Sequence, residues 1–326
     1  MFEIFVLSFI ATFLYTPIGY LIEKGSNIRS FSLQLIFGLI ILSFFSLLIN
    51  FFSPLNKTIN TIILLLSLFI IGKYWRLYLS KKFLVFCIFS SIIIFLLISG
   101  SNVYRPDAGL YHLPYISILN QEKIIFGLSN IHFRFGHISI LQYTSAIFNN
   151  QIFGVNGISF PIALISSSVI INFVSNLNYS VKKNKYNFHF FLTFSLLIFI
   201  LYKSNRFSEY GNDAPAHLMM FLLIVEIFKN FNHLDSKKIG NYFLISIFII
   251  MNKIILLISI LYPIILLFKI KTNKYFNSKM FFIFFFIIIW SIKNLVVSGC
   301  FLYPLKSSCV GELYWTDENK AKLISV

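Results

Sequence analysis

The sequence predicts an all-α protein: a polytopic transmembrane helical bundle of about ten spans, with a large external loop carrying two short surface helices. Three observations predict it. Apolar residues fill 58% of the 326 positions and charged residues 12%, against about 45–50% and about 25% in soluble domains. Ten separate apolar runs approach the roughly 20 residues that a helix needs to cross the hydrocarbon layer. Lys and Arg gather between alternate runs, as the positive-inside rule requires of cytoplasmic segments. A water-soluble globule is excluded, and 41 Phe and 17 Tyr exclude the polar bias of a disordered chain.

Taken in order, the runs are 2–22, 31–53, 58–72, 83–99, 157–178, 188–202, 214–231, 240–252, 254–270 and 280–297. The first begins Met1-Phe2-Glu3, without the basic start or small-residue cleavage site of a signal peptide, and reads as a retained span. Those at 188–202 and 240–252 are short. Segments 73–82, 181–187, 229–238 and 269–279 carry 4, 3, 3 and 4 basic residues, which sets all four in the cytoplasm. With 23–30 included, sixteen of the 27 basic residues and three of the 11 acids lie inside. The net charge of +16 is therefore a topological signal and an attraction to anionic lipid, with no nucleic-acid partner implied. Residues 138–150 are apolar but too short to cross, and counting them as a span would put 181–187 on the wrong side. They are expected to form an amphipathic helix at the outer surface, alongside a second near 109–121. The chain then reads as one integral-membrane domain of four parts: four spans in 1–99, the external loop 100–156, six spans in 157–297, and the external tail 298–326.

The external segments concentrate the polar groups. Residues 104–115 read YRPDAGLYHLPY and 127–137 read GLSNIHFRFGH. Asp107, between Pro106 and Gly109, has two readings: a cap for free backbone N–H groups, or a base or metal ligand at the membrane surface. His112 and Tyr115 are three residues apart, roughly on one helix face. His132, Arg134 and His137 return the chain to the same region. The second loop, 203–217, adds Arg206, Glu209, Asp213 and His217. Asp213 could cap the next span, whereas His217 lies one turn inside it, where an ionisable group is costly and functional by default. Lys253, in the turn after 240–252, suits either snorkelling or an anionic headgroup; Lys293 suits snorkelling. Cys300 and Cys309 share the tail, where an oxidising compartment could join them; the sequence leaves that pairing open. Phosphate-loop, dinucleotide and zinc-protease motifs are absent, so an activated sugar or phosphate substrate would arrive on lipid.

Three stretches, DAGLYHLP from Asp107, GLSNIHFRFGH from Gly127 and KNLVVSGCFLYP from Lys293, resemble a family of bacterial polytopic membrane proteins that accompany surface-polysaccharide biosynthesis. The layout resembles the GT-C superfamily of integral-membrane glycosyltransferases, which take sugars from polyprenyl-linked donors. The resemblance implies an essential acid in the first large external loop, matched by Asp107, followed by two surface helices. It also implies a second acid in a later loop, matched by Asp213, and a cation near the lipid phosphate, matched by Lys253. Three features depart from that pattern: the loop follows the fourth span, Asp107 has no acidic neighbour, and further spans would be expected beyond 312–326, so the chain reads as a truncated or minimal member.

The expected function is transfer of a sugar from a polyprenyl-phosphate-linked donor to a glycan or lipid acceptor at the outer face of the bacterial inner membrane. Asp107 and Asp213 are the expected catalytic residues. His112, Tyr115, His132, Arg134, His137, Glu209, His217 and Lys253 are the expected substrate-binding ones. No cofactor is required by any motif; a divalent cation, Mg2+ or Mn2+, at Asp213 is the one open option. The alternatives are an O-antigen-type polymerase or ligase, and a non-enzymatic transporter of lipid-linked glycans.

Overall fold

The computed structural model describes residues 2–23, 30–100, 106–137, 139–204, 210–211, 213–269, 278–311 and 313–316. Among them every regular element is helical, with no strand. The principal helices are α1 (Phe2–Glu23), α2 (Phe31–Asn50), α3 (Lys57–Lys73), α4 (Lys81–Ser99), α5 (Leu113–Gln121), α6 (Ile140–Phe148), α7 (Phe160–Lys182), α8 (Phe188–Tyr202), α9 (Asp213–Asn230), α10 (Ser236–Asn252), α11 (Leu261–Lys269) and α12 (Ser278–Ser298). Five segments among the described residues are long and apolar enough to cross a membrane: Phe2–Ile22, Phe31–Asn50, Lys81–Ser99, Val155–Lys182 and Lys279–Ser298. The chain is thus a membrane protein. The other apolar runs are helical too, but shorter or less apolar. Side chains left outside the bundle, such as Phe69, Phe191, Phe281 and Phe284, are large and apolar, which suits contact with lipid.

Helix starts follow local side-chain chemistry. Asn56 accepts from the Ile59 N–H at 2.9 Å, Asn187 from the Phe190 N–H at 3.2 Å and Asp235 from the Lys238 N–H at 2.8 Å, each satisfying a donor that the first turn leaves free. α1 and α2 cross at glycines: a Cβ on Gly19 would strike the Gln34 carbonyl, and one on Gly38 the Tyr15 carbonyl. Small residues of this kind let membrane helices approach backbone to backbone. Hydroxyls supply the cross-links in the apolar interior. Thr12 donates to Ser90 at 3.2 Å and Ser90 meets Ser167 at 2.9 Å, joining α1, α4 and α7, while Ser43 meets Thr144 between α2 and α6.

The external loop is woven into the end of the bundle. The Asn60 amide donates to the carbonyls of Leu55, Ala146 and Asn149 at 2.7, 2.9 and 2.8 Å. Asn120 donates to Leu55 and Ala146 at 2.7 and 3.0 Å. This places α6 differently from the expected surface helix at 138–150. All nine of its residues are buried, with Phe148 against the Tyr15 ring at 4.4 Å. Its hydroxyl, amide and phenol groups find partners inside, so its polar face is no bar to burial. α5 begins at Leu113, later than the expected 109, because a wide π-helical turn, Ala108–His112, precedes it. Such turns occur often at functional sites.

α10 ends at Asn252 with the extended Lys253 as its C-cap, and the chain continues through a tight 3₁₀ stretch, Ile254–Ile260, broken at Leu256 (φ −87°, ψ 23°), before α11 begins. Ser246 holds this break by donating to the Ser259 carbonyl at 3.0 Å. Lys293 departs from its expected snorkelling: it is fully buried on α12, its ammonium 5.6 Å from the Trp290 ring and without a hydrogen-bond partner among the described residues.

Candidate functional site

Four stretches meet at one end of the bundle: the π turn and the start of α5, residues 132–137, the start of α9 with Tyr210 and Gly211, and the turn after α10. The join between α6 and α10 is built by Asn252, which no sequence motif marked. Its Oδ1 accepts from the Ser139 hydroxyl and, at 3.2 Å, from the Leu141 N–H, so it caps α6 from across the fold. That contact sets the next residue, Lys253, facing the first turn of α9. There its ammonium lies 2.7 Å from Asp213 Oδ1. Asp213 is exposed and Lys253 half-buried, so the pair is a solvent-accessible charge contact between two elements.

His112 is the buried centre of the group. Gln142, the one side-chain amide on α6, donates to its Nδ1 at 2.7 Å, which leaves Nε2 on the other edge of the ring. That edge faces Gly211, where a Cβ would stand 4.0 Å from Nε2. Burial pushes the His112 pKa down to about 4, with the Arg134 charge adding to it and Asp107 and Asp213 opposing it. His112 is therefore neutral at pH 7. Next to it, burial first, then the neighbouring Asp107 through its charge and hydrogen-bonding influence, push the Tyr111 pKa up to about 12. Asp107 makes no cap to the helix that follows, so its carboxylate is left to act on the neighbouring Tyr111 and His112 electrostatically.

Arg134 has no carboxylate partner among the described residues. Its guanidinium lies 5.5 Å from the Tyr111 ring centre and 5.1 Å from that of Phe133, an arrangement that fixes the plane and leaves its N–H fork unspent. His132 supports it: Nδ1 accepts from the Arg134 backbone N–H at 3.2 Å, and the ring stacks on Phe133 at 5.0 Å and Tyr111 at 6.3 Å. Arg134 and His132 thus share one neighbour, Tyr111, which no sequence feature singled out although it directly precedes His112.

Other expected residues lie elsewhere. Tyr115 is buried, with its hydroxyl 2.9 Å from that of Tyr143, so it packs the core below the site. His137 stands edge-on to Tyr303 at 5.1 Å, and burial first, then the Arg134 charge, lowers its pKa to about 4. His217 is exposed on the side of α9 and its Nδ1–H donates to the Asp213 carbonyl at 2.6 Å. Glu209 lies outside the described residues, as does Arg206. Among the described residues, the donors near Asp213 do not gather into a divalent-ion site. No group of three His, Cys, Asp or Glu gathers among the described residues, and the ammonium of Lys253 already occupies Asp213.

Cys300 and Cys309 are joined by a disulfide, and the tail they close lies against residues 127–137 of this same end.

Residues 1–323 match the family described as a domain of unknown function (DUF8201), and the chain belongs to that family. No curated protein and no solved structure matches it.

Proposed function

We propose that this member of the family is a membrane glycosyltransferase of GT-C-like, ten-span layout. It would transfer a sugar from a polyprenyl-phosphate-linked donor at the outer face of the inner membrane. The observation that carries this reading is the Arg134 guanidinium, clamped by Tyr111 and Phe133 with no carboxylate on its donor fork among the described residues, in the same electrostatic neighbourhood as Asp107 and Asp213. A planar cation held ready beside carboxylates suits a reaction with an anionic leaving group and a proton to remove. The disulfide supports the outward placement, since such bonds persist in oxidising compartments.

In this reading Asp107 takes the proton of the acceptor hydroxyl as that oxygen attacks the anomeric carbon. The bond from that carbon to the phosphate oxygen breaks, and its electron pair stays on the phosphate. Arg134, steadied by His132, neutralises the charge that develops there. Asp213 orients the acceptor, and Lys253 is shared between Asp213 and the phosphate. Neutral His112 offers a hydrogen bond to a sugar hydroxyl through its Nε2 edge. Right-side-out vesicles carrying the protein, a radiolabelled polyprenyl-linked sugar and added acceptor test this. Transfer retained in full by both Asp107→Asn and Arg134→Gln would sink the assignment.

A polymerase or ligase acting on lipid-linked glycans is the second reading, favoured by the Arg134–His132 support. It expects Arg134→Gln and His132→Gln to abolish transfer while Asp107→Asn does not.

A further inference from the structure

The tail after α12 turns back at Gly299, whose φ of +74° a side chain would resist, with Thr316 packed where its Cβ would lie. The Phe301 N–H donates to the Ser308 carbonyl at 3.0 Å, the Val310 N–H donates to the Gly299 carbonyl at 2.9 Å, and the disulfide closes the loop. From this strap Tyr303, itself buried, packs its ring directly against Gly136. A Cβ on Gly136 would come within 2.5 to 2.9 Å of three ring carbons.

A second foot of the same tail stands at the other end of that segment. The Trp315 carbonyl accepts from the Asn130 amide at 2.8 Å, and its indole N–H donates to the Leu295 carbonyl at 3.1 Å. Its Cβ lies 2.8 Å from where a Cβ on Gly127 would be. The Gly127 N–H donates to the Val296 carbonyl at 2.9 Å. Residues 127–137 are thus pinned at both ends, and the stretch between the pins holds His132 and Arg134 out toward solvent.

We infer that the disulfide-closed strap is the positioning element of Arg134: Tyr303 on Gly136 and Trp315 on Gly127 fix the arc that sets the guanidinium over Tyr111. Opening the strap frees the arc. Arg134 then leaves the ring face and loses its preset plane. This inference deepens the proposed function and rests on it only for the phosphate arm of the test, because the clamp itself is a matter of packing.

The test is peptide-resolved phenylglyoxal modification of the full-length protein in nanodiscs, with Arg76 as internal reference. Reduction of wild type by a phosphine and, separately, Tyr303→Ala should each raise the Arg134 rate by about threefold or more, as expected of a locally opened segment, while the Arg76 rate stays constant. Inorganic pyrophosphate should slow Arg134 modification in the oxidised protein and lose that effect on reduction. An Arg134 rate unchanged by both reduction and Tyr303→Ala overturns the strap. A rate raised by opening, but indifferent to pyrophosphate in either state, keeps the strap and counts against the phosphate reading.

Discussion

The two ends of α9 and α10 hold their charges in opposite ways. At the Lys-rich end, about 27 Å from Asp213 by helix rise, partners sit on one helix. Lys229 reaches Glu226 at 3.3 Å, three residues away, and Lys238 reaches Asp235, again three away. Asn230 and Tyr242 complete the former by donating to the Glu226 carbonyl at 2.9 Å each. At the other end, Asp213 is paired with Lys253 forty residues on, His112 with Gln142 thirty residues on, and the Arg134 guanidinium meets only ring faces among the described residues. Near-neighbour pairs stabilise a helix end and need nothing more. Charges gathered from four parts of the chain cost more to assemble, and an unspent guanidinium among them makes sense as a place for something else.

The largest expected effect tests that contrast directly. Asp107→Asn and Arg134→Gln should each lower sugar transfer by about 10²–10⁴-fold, whereas Lys238→Met at the far end should leave it within about twofold. Assays on vesicles with matched protein content decide it. Equal losses at both ends would erase the distinction.

Next comes pH. His112 keeps a pKa of about 4 in the folded protein, against about 6.5 when unfolded. The unfolded chain therefore binds the proton first. Stability is complete above pH 6.5 and falls as pH drops toward 4, by about 3 kcal/mol for this group. His137 shifts in the same direction for the same reason. Thermal unfolding in detergent between pH 7.5 and 4.5 should show the fall, and His112→Gln should flatten part of it. An unchanged slope in that variant would mean that His112 is not the buried, neutral group described.

This division also explains what the sequence could reveal. The apolar runs predicted a helix at each of the ten stretches where one is found, because hydropathy and period are local properties. The near-neighbour pairs Glu226–Lys229 and Asp235–Lys238 are equally local. Asp107, Arg134 and Asp213 could be singled out because polar groups stand out in an apolar chain. Their partners could not. Gln142 sits in an apolar stretch that read as surface, and its burial depends on Asn60 and Asn120 holding the loop from elsewhere. Asn252 looked like an ordinary turn residue until Ser139 was brought beside it. Lys293 misled for the same reason: nothing near it in sequence indicates that neighbouring helices enclose it.

A smaller effect probes the seam itself. Asn252→Ala removes the acceptor for Ser139 and the Leu141 N–H, both buried, and should cost about 1–3 kcal/mol. Asn252→Asp keeps the acceptor oxygen but loses the donor to the Phe248 carbonyl, so it should cost less in stability at neutral pH. Unfolding midpoints of the two variants, with Lys253 modification as a second readout, check the order.

The smallest energies carry the sharpest comparison. Asp213 is 74% exposed and Lys253 29%, so water screens the pair and a double-mutant cycle on stability should return under about 1 kcal/mol. Asp235→Ala at the far end should cost about 1 kcal/mol, because it removes a helix cap; Asp235→Asn should restore most of that. Stability alone would rank the far-end acid equal to the site acid or above it. Ligand response should invert the ranking: Asp213→Asn and Lys253→Met should each alter pyrophosphate protection of Arg134, while both Asp235 variants leave it unchanged. Protection that follows stability instead would place Asp213 and Lys253 in the same structural class as the pairs at the far end.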